Sequence, residues 1–449
     1  MYFWLLQVVF KCGEVSMSKK SFTQKDYVLS ISFANYLKGI SGMAKVLMEH
    51  QKMFNNKNVG YVNLFVVKKY LFQEKITAFC YYGLVINGEY SGIYSIEQII
   101  NLIKSWDDQG KNLIDIHLHH LLYVKLKQID KLLSHISAVP IKLYLHDYYT
   151  VCWNYTLLKN GESYCGPQKM CPSKCNDCRF YYRSKPRVDQ IQELLAKYKK
   201  RILVVSPSEA TKNIWLESYP EFRGQTIVIK HQKEIGKYRE NLKPLSSCKK
   251  ISIAFLGMPA EHKGWKQWEM MVENYKEDYR FVVFNSSDEE YQNMEKVKIQ
   301  YSPGNLSAMT KALRDNDIQV ALLWAKWPET YSYTFYESLS ANLYIITNRV
   351  SGNITNQVEE RRCGIILEDV NELYQLFGDK EELRERINDF RIKYDGGPYY
   401  LKENDEIVEY SLKKMTRNTM VSGCINLKLH DFVATKLLNI LYHLGKIPG

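Results

Sequence analysis

The run Ile318–Trp324, IQVALLW, is short and almost continuously apolar, as expected of a parallel strand buried on both faces. It empties into a loop carrying Glu329, after which Thr334-x-x-Glu337 fits a Thr-x-x-Glu capping box at a helix start. A strand, a turn and a helix N-terminus in that order leave backbone N–H groups and a positive dipole end where an anion can bind. The segment Trp327–Asn353 therefore commits this part of the chain to a βα unit with a phosphate-facing end. Ser332, Tyr333 and Thr334 are the expected backbone donors.

The same unit recurs elsewhere. Ile251–Leu256 reads as a buried strand, Gly257 ends it, and Lys263-Gly264 leads into a helix whose face includes Trp265, Trp268 and Met271. A glycine at the strand exit lets backbone approach a ligand closely, and a lysine a few residues on reaches a phosphate oxygen as a mobile point charge. Nearer the N-terminus, a strand from Asp26 to Phe33 precedes a loop with Gly39 and Gly42. An amphipathic helix containing Ala44, Leu47, Met48 and Phe54 follows. That loop satisfies neither the dinucleotide nor the P-loop fingerprint. The strand from Ile141 ends at His146-Asp147, and an imidazole at a strand exit is a candidate donor to a sugar hydroxyl or to charge developing at a reaction centre. Arg201–Pro220 again reads strand, Ser-Pro-Ser turn and helix, and TIVIKHQ is the expected strand leading to a linker.

Alternating strands and helices over 449 residues predict two α/β halves with parallel sheets wound on both sides. The first spans residues 20–235, with a Cys-rich insertion at 160–185. The polar, Lys-rich connector EIGKYRENLKPLSSCKK separates it from the second, residues 250–420, and a terminal helix lies within 426–447. Ligands in open α/β sheets bind beyond the carboxyl ends of strands. Gly39, His146, Gly257, Lys263, Glu329 and Glu337 all map there, so one cleft is expected to collect them.

The Glu329-x7-Glu337 block, with Gly257 and Lys263-Gly264 upstream, resembles family 4 retaining glycosyltransferases. The resemblance implies the GT-B fold, two Rossmann-like domains facing a central cleft, with the C-terminal helix crossing back to the first. By it, Glu329 lies beside the transferred sugar, Glu337 holds the ribose of a nucleoside diphosphate sugar and Lys263 contacts the diphosphate. His146 closes the site from the other domain, and the loop of Gly39 and Gly42 faces the cleft. The acceptor implied is a hydroxyl of a glycan or lipid-linked glycan in surface polysaccharide synthesis, such as lipopolysaccharide or capsule, and no metal cofactor is implied for catalysis. One departure stands out: Met258 occupies the place where the family carries a phosphate-binding arginine. Asp315-Asn316-Asp317 looks like a metal-binding Asp-x-Asp, but it precedes its strand and reads as a helix-end turn. Two other readings remain open, a GT-B sugar-nucleotide epimerase and a zinc-containing nucleic-acid-binding protein.

Cys165, Cys171, Cys175 and Cys178 lie within a loop-like stretch, at spacings near those of a structural zinc. Zinc, two disulfides and reduced thiols are all compatible with the sequence. A catalytic metal is not expected there, since the stretch lacks a histidine or carboxylate arrangement and an obvious open position. The 61 Lys and Arg against 49 Asp and Glu give a net charge of +12, which favours an anionic partner. The basic residues are dispersed, so most read as solvated faces and a nucleic-acid partner is not expected; the resemblance to the glycosyltransferases is what implies a membrane surface, where lipid-linked acceptors lie. MYFWLLQVVF is too short to span a bilayer and lacks the flanks of a signal peptide. Residues 1–16 are expected to be dispensable, with Met17 as an alternative start. Ten Cys without export signals suggest a reducing compartment, hence a cytoplasmic protein peripheral to the inner face of the plasma membrane.

Overall fold

The computed structural model describes residues 22–39, 41–67, 81–166, 169–237, 244–246, 249–300, 307–394, 399–413 and 420–445. The expectations for residues 1–16 and for much of the connector lie outside them. Two sheets organise the chain. The first has eight strands in the order Thr226–Val228, Ile202–Ser206, Ile141–Tyr144, Asn112–Leu118, Asp26–Ser32, Gly60–Val66, Tyr82–Ile86 and Glu89–Tyr94. The first six of these run parallel, and the last two close the edge as an antiparallel hairpin. The second sheet is wholly parallel, in the order Glu295–Lys298, Arg280–Asn285, Ser252–Leu256, Val320–Leu323, Tyr344–Asn348 and Gly364–Leu367.

The central strands are buried throughout, as in Gly60–Val66 and Ser252–Leu256, because helices cover both faces of a parallel sheet. Leu29, Ile31, Leu64 and Ile116 belong to the core on one face of the first sheet. Val28, Tyr61 and Phe65 pack with Leu47 and Phe54 of helix Gly42–Asn56 on the other. In the second sheet Trp268 and Met271 of helix Trp265–Tyr275 pack with Phe255 and Phe281, in agreement with the apolar face read from the sequence. Gly264 is required there: its φ is +80°, and a Cβ would stand 2.1 Å from the Trp324 carbonyl oxygen.

The connector departs from expectation. Gln232–Lys237 is a strand, paired antiparallel with Tyr399–Glu403, so the start of EIGKYRENLKPLSSCKK is ordered by a partner far away in sequence. Beside this ribbon Asn404 donates Nδ2–H to the Lys230 carbonyl at 2.8 Å and its backbone N–H to the His231 carbonyl at 3.3 Å. The outgoing and returning chains thus cross between the sheets at adjacent points.

The return also begins earlier than the expected boundary at 420. Helix Glu406–Lys413 already buries Ile407 and Val408 in the core of the first sheet, and Ser411 Oγ accepts from Lys142 Nζ at 2.9 Å. Met420–Val421 then pairs with Ile136–Ser137. The terminal helix Leu429–His443 lies on the hairpin edge, where Asn439 exchanges hydrogen bonds of 2.9 and 3.0 Å with the Ile93 backbone. Among the described residues no helix is long and apolar enough to cross a membrane.

Candidate functional site

The carboxyl ends of the two sheets face each other, held together by the loop after Val320–Leu323. Thr330 is the fastener. Its Oγ1 donates to the His146 carbonyl at 2.8 Å, and its own carbonyl accepts from Ser208 Oγ at 2.7 Å and Thr211 Oγ1 at 3.1 Å. Tyr331 adds an acceptor for the Gln232 N–H at 3.1 Å, and Trp327 packs edge-on to Tyr148.

On the second-sheet side, Gly257 leaves its strand with φ +98°, and a Cβ there would lie 3.5 Å from Lys263 Nζ. The amino group therefore overhangs the strand exit. Glu329 receives the Trp327 indole N–H at 3.1 Å. Burial pushes its carboxyl upward, against the opposing pull of Lys263 and this hydrogen bond. Lys263 and Glu329 thus share one field at the mouth of the sheet. Met258 is exposed and brings no charge to the place where an arginine was expected.

The capping box does not form. Helix Tyr333–Ser340 starts after Ser332, whose φ is +65° and whose side chain makes no capping bond to the backbone. Ser332 Oγ instead meets Thr334 Oγ1 at 3.1 Å. The docked Thr330–Tyr331 segment brings the helix start forward, so Glu337 lies beyond the position from which it could reach back to the cap. Glu337, only 2% exposed, pairs instead with Lys45 of the other domain at 3.3 Å. The Phe335 N–H is taken by the Ser332 carbonyl at 3.2 Å, which leaves the Tyr333 and Thr334 N–H groups without intrahelical acceptors.

Across the cleft, helix Gly42–Asn56 begins with Ser41 as its cap, so Gly42 is its first residue and not part of a loop. A Cβ on Gly42 would be 3.7 Å from the Tyr333 ring, which places it on the cleft, whereas the contacts at Gly39 are with its own helix and loop, at Ala44 and Asn35. Lys45 Nζ also lies 4.1 Å from the centre of the Tyr333 ring. Glu49, one turn further on, is buried with Oε1 unpartnered. Its carboxyl is pushed up to about 7, chiefly by burial, with Lys45 opposing and Glu403 reinforcing.

His146 lies at its strand exit but faces another imidazole, with Nε2 2.9 Å from His119 Nδ1. Burial pushes it down to about 4, so it is neutral at pH 7 and acts as a hydrogen-bonding group, not a cation. His119, His146, His231 and Tyr333 follow one another as near-parallel rings spaced 5.2, 5.7 and 5.7 Å. The adjacent Asp147 accepts from His120 Nε2 at 2.6 Å and caps the loop through the Tyr149 N–H.

Sequence reading missed Lys45, Glu49, His119 and His231. Two signals were available: a lysine in the first turn of a helix opposes the dipole unless its charge is used elsewhere, and HLHH at residues 117–120 crowds three imidazoles at the end of a strand. Asp315-Asn316-Asp317 is a helix-end turn, with Asn316 as the cap and Asp317 at φ +50°.

The thiols of Cys165, Cys171, Cys175 and Cys178 are free, so no disulfide joins them. They are also not gathered as a ligand set: among the described residues only histidines place three ligand atoms within 4.8 Å of one another. Cys165 donates instead to the Leu157 carbonyl at 3.0 Å and Cys171 meets Ser173 Oγ at 3.3 Å. This arrangement of the thiols does not fit a tetrahedral zinc.

No protein-family model and no curated protein sequence matches the chain. Solved structures do. A sucrose-phosphate synthase from Thermosynechococcus elongatus is similar with a TM-score of 0.54 at 12% identity, over 87% of this chain and 98% of that one. TarM is similar with a TM-score of 0.51 at 7% identity, over 88% and 99%. With the paired parallel sheets and the C-terminal return, these likenesses establish the GT-B fold.

Proposed function

We propose that this protein is a retaining glycosyltransferase of the family 4 type, moving a sugar from a nucleoside diphosphate donor to a hydroxyl of a glycan or lipid-linked glycan. The observation that carries the proposal is the convergence of Gly257, Lys263, Glu329 and the N-terminus of Tyr333–Ser340 at one mouth, faced by Gly42, Lys45 and His146. The likeness to a sucrose-phosphate synthase supports it.

On this reading the diphosphate lies between Lys263 and the helix N-terminus, and Glu337 turns from Lys45 to the ribose. As the glycosidic bond breaks, positive charge grows on the sugar and negative charge on the leaving phosphate. Preorganised donors to the phosphate are worth on the order of a hundredfold or more in rate each. Lys45, released from Glu337, supplies the second cation that Met258 does not. Glu329 supports the sugar, and the acceptor attacks from the face the diphosphate leaves, its proton passing to a phosphate oxygen. His146, neutral, donates to a sugar hydroxyl. Work at a membrane surface in polysaccharide assembly fits the surplus of 12 positive charges.

The test is calorimetric titration with a panel of nucleoside diphosphates, followed by donor hydrolysis with the matching sugars. Saturable binding to one nucleotide is expected, weakened about tenfold or more by both Lys263→Ala and Glu337→Ala. If no nucleotide binds the folded chain, the proposal fails.

A further inference from the structure

Behind the first-sheet side of the cleft, three imidazoles meet in the core. His50 comes from helix Gly42–Asn56, while His117 and His119, two residues apart along the end of strand Asn112–Leu118, share one face of the sheet. One ligand nitrogen from each lies within 4.8 Å of the other two. All three rings are buried, with His50 6% and His117 0% exposed.

Buried imidazoles ordinarily have both nitrogens satisfied, yet His50 Nδ1 and His117 Nε2 have no hydrogen-bond partner. Each such orphan costs about 1–3 kcal/mol. The outer nitrogens are held: His117 Nδ1 meets the Tyr144 hydroxyl at 3.2 Å and His119 Nδ1 meets His146 at 2.9 Å. Partners of that kind orient metal-bound histidines and fix their tautomers. Asp115 lies alongside, with Oδ2 3.5 Å from His117 Nε2, and its charge is balanced by Lys142 on the same oxygen.

We propose that His50, His117 and His119 bind a divalent transition-metal ion of the zinc class, at a site distinct from the sugar-transfer centre. A set of three imidazoles suits zinc and leaves a fourth position for water. Bonds of about 2.0–2.1 Å draw the nitrogens closer together than they now stand, by rotation of the three side chains. Since Nδ1 of His119 is taken by His146, His119 binds through Nε2, giving up its 3.4 Å contact with the Tyr61 hydroxyl. Its proton then stays on Nδ1 and is donated to His146 Nε2, so that His146 keeps its own proton on Nδ1. The ion fixes the hydrogen-bonding sense of His146 without touching the substrate. Because the pocket is enclosed, the metal enters as the chain folds.

The experiment uses the full chain carrying Cys165→Ser, Cys171→Ser, Cys175→Ser and Cys178→Ser, produced in cells supplied with cobalt. Zinc plus cobalt content, the visible spectrum and the melting temperature are measured before and after prolonged chelation. The expected result is about one ion per chain, cobalt bands of nitrogen ligation without a thiolate charge-transfer band, and a lower melting temperature once the ion is removed. His50→Gln and His117→Gln should each abolish stoichiometric metal while keeping the melting temperature of the chelated parent. A parent chain with native circular dichroism but no bound ion overturns the proposal. So does metal retained in both histidine variants. If those variants do not fold, a parent melting temperature indifferent to chelation overturns it equally. None of these readouts depends on sugar transfer.

Discussion

The two banks of the cleft are built from opposite chemistry. The second-sheet bank carries formal charge, with Lys263 over the Gly257 turn, Glu329 and Glu337 in the following loop and helix, and a helix N-terminus. The first-sheet bank is a run of neutral rings, His119, His146 and His231, stripped of water and pushed away from protonation. A charged bank can bind and stabilise a diphosphate, whereas a neutral one can only present hydrogen bonds of fixed direction. Lys45 is the exception, a first-sheet cation that reaches across to Glu337.

The largest effects should separate the banks. Lys263→Ala is expected to weaken nucleoside diphosphate binding and to lower donor turnover on the order of a hundredfold or more. His146→Ala should lower turnover by a similar factor while leaving nucleotide affinity within about twofold. Equal losses of affinity, measured by calorimetry, would collapse the distinction between the banks.

Glu49 sharpens the comparison through pH. Its carboxyl is raised from 4.5 to about 7 in the folded chain, so the folded state holds a proton that the unfolded state releases. The stability from that proton is fully present below the unfolded value and is lost as pH rises through about 7. Urea unfolding should therefore show wild type losing about 2–3 kcal/mol relative to Glu49→Gln between roughly pH 5 and 8. Parallel curves for the two proteins would mean that Glu49 is not protonated in the cleft.

The smallest effect concerns Met258. Met258→Arg adds a forked donor at the charged bank, and a several-fold tightening of nucleoside diphosphate binding is expected. A weakened affinity would place the phosphates away from this turn.

Local motifs made much of this legible. Strand, glycine, lysine and helix are contiguous from Ile251 to Met271, and the same holds for Glu329 and Glu337, so periodicity and turn chemistry located them without knowledge of the partner domain. The capping box failed because the loop before it is pinned to Ser208, Thr211 and His146, contacts that no local pattern encodes. The Lys45–Glu337 pair joins residues 292 positions apart, and the triad unites a helix and a strand that are distant in sequence. Residues 406–413 were assigned to the wrong sheet because their apolar face fits either one, and only Lys142 and its neighbours decide where it packs.

The adjacent crossings at Lys230–His231 and Asn404 act as the pin of a door. With both passages of the chain tied at one place and the ribbon Gln232–Lys237/Tyr399–Glu403 beside it, the joint resists sliding of one half past the other.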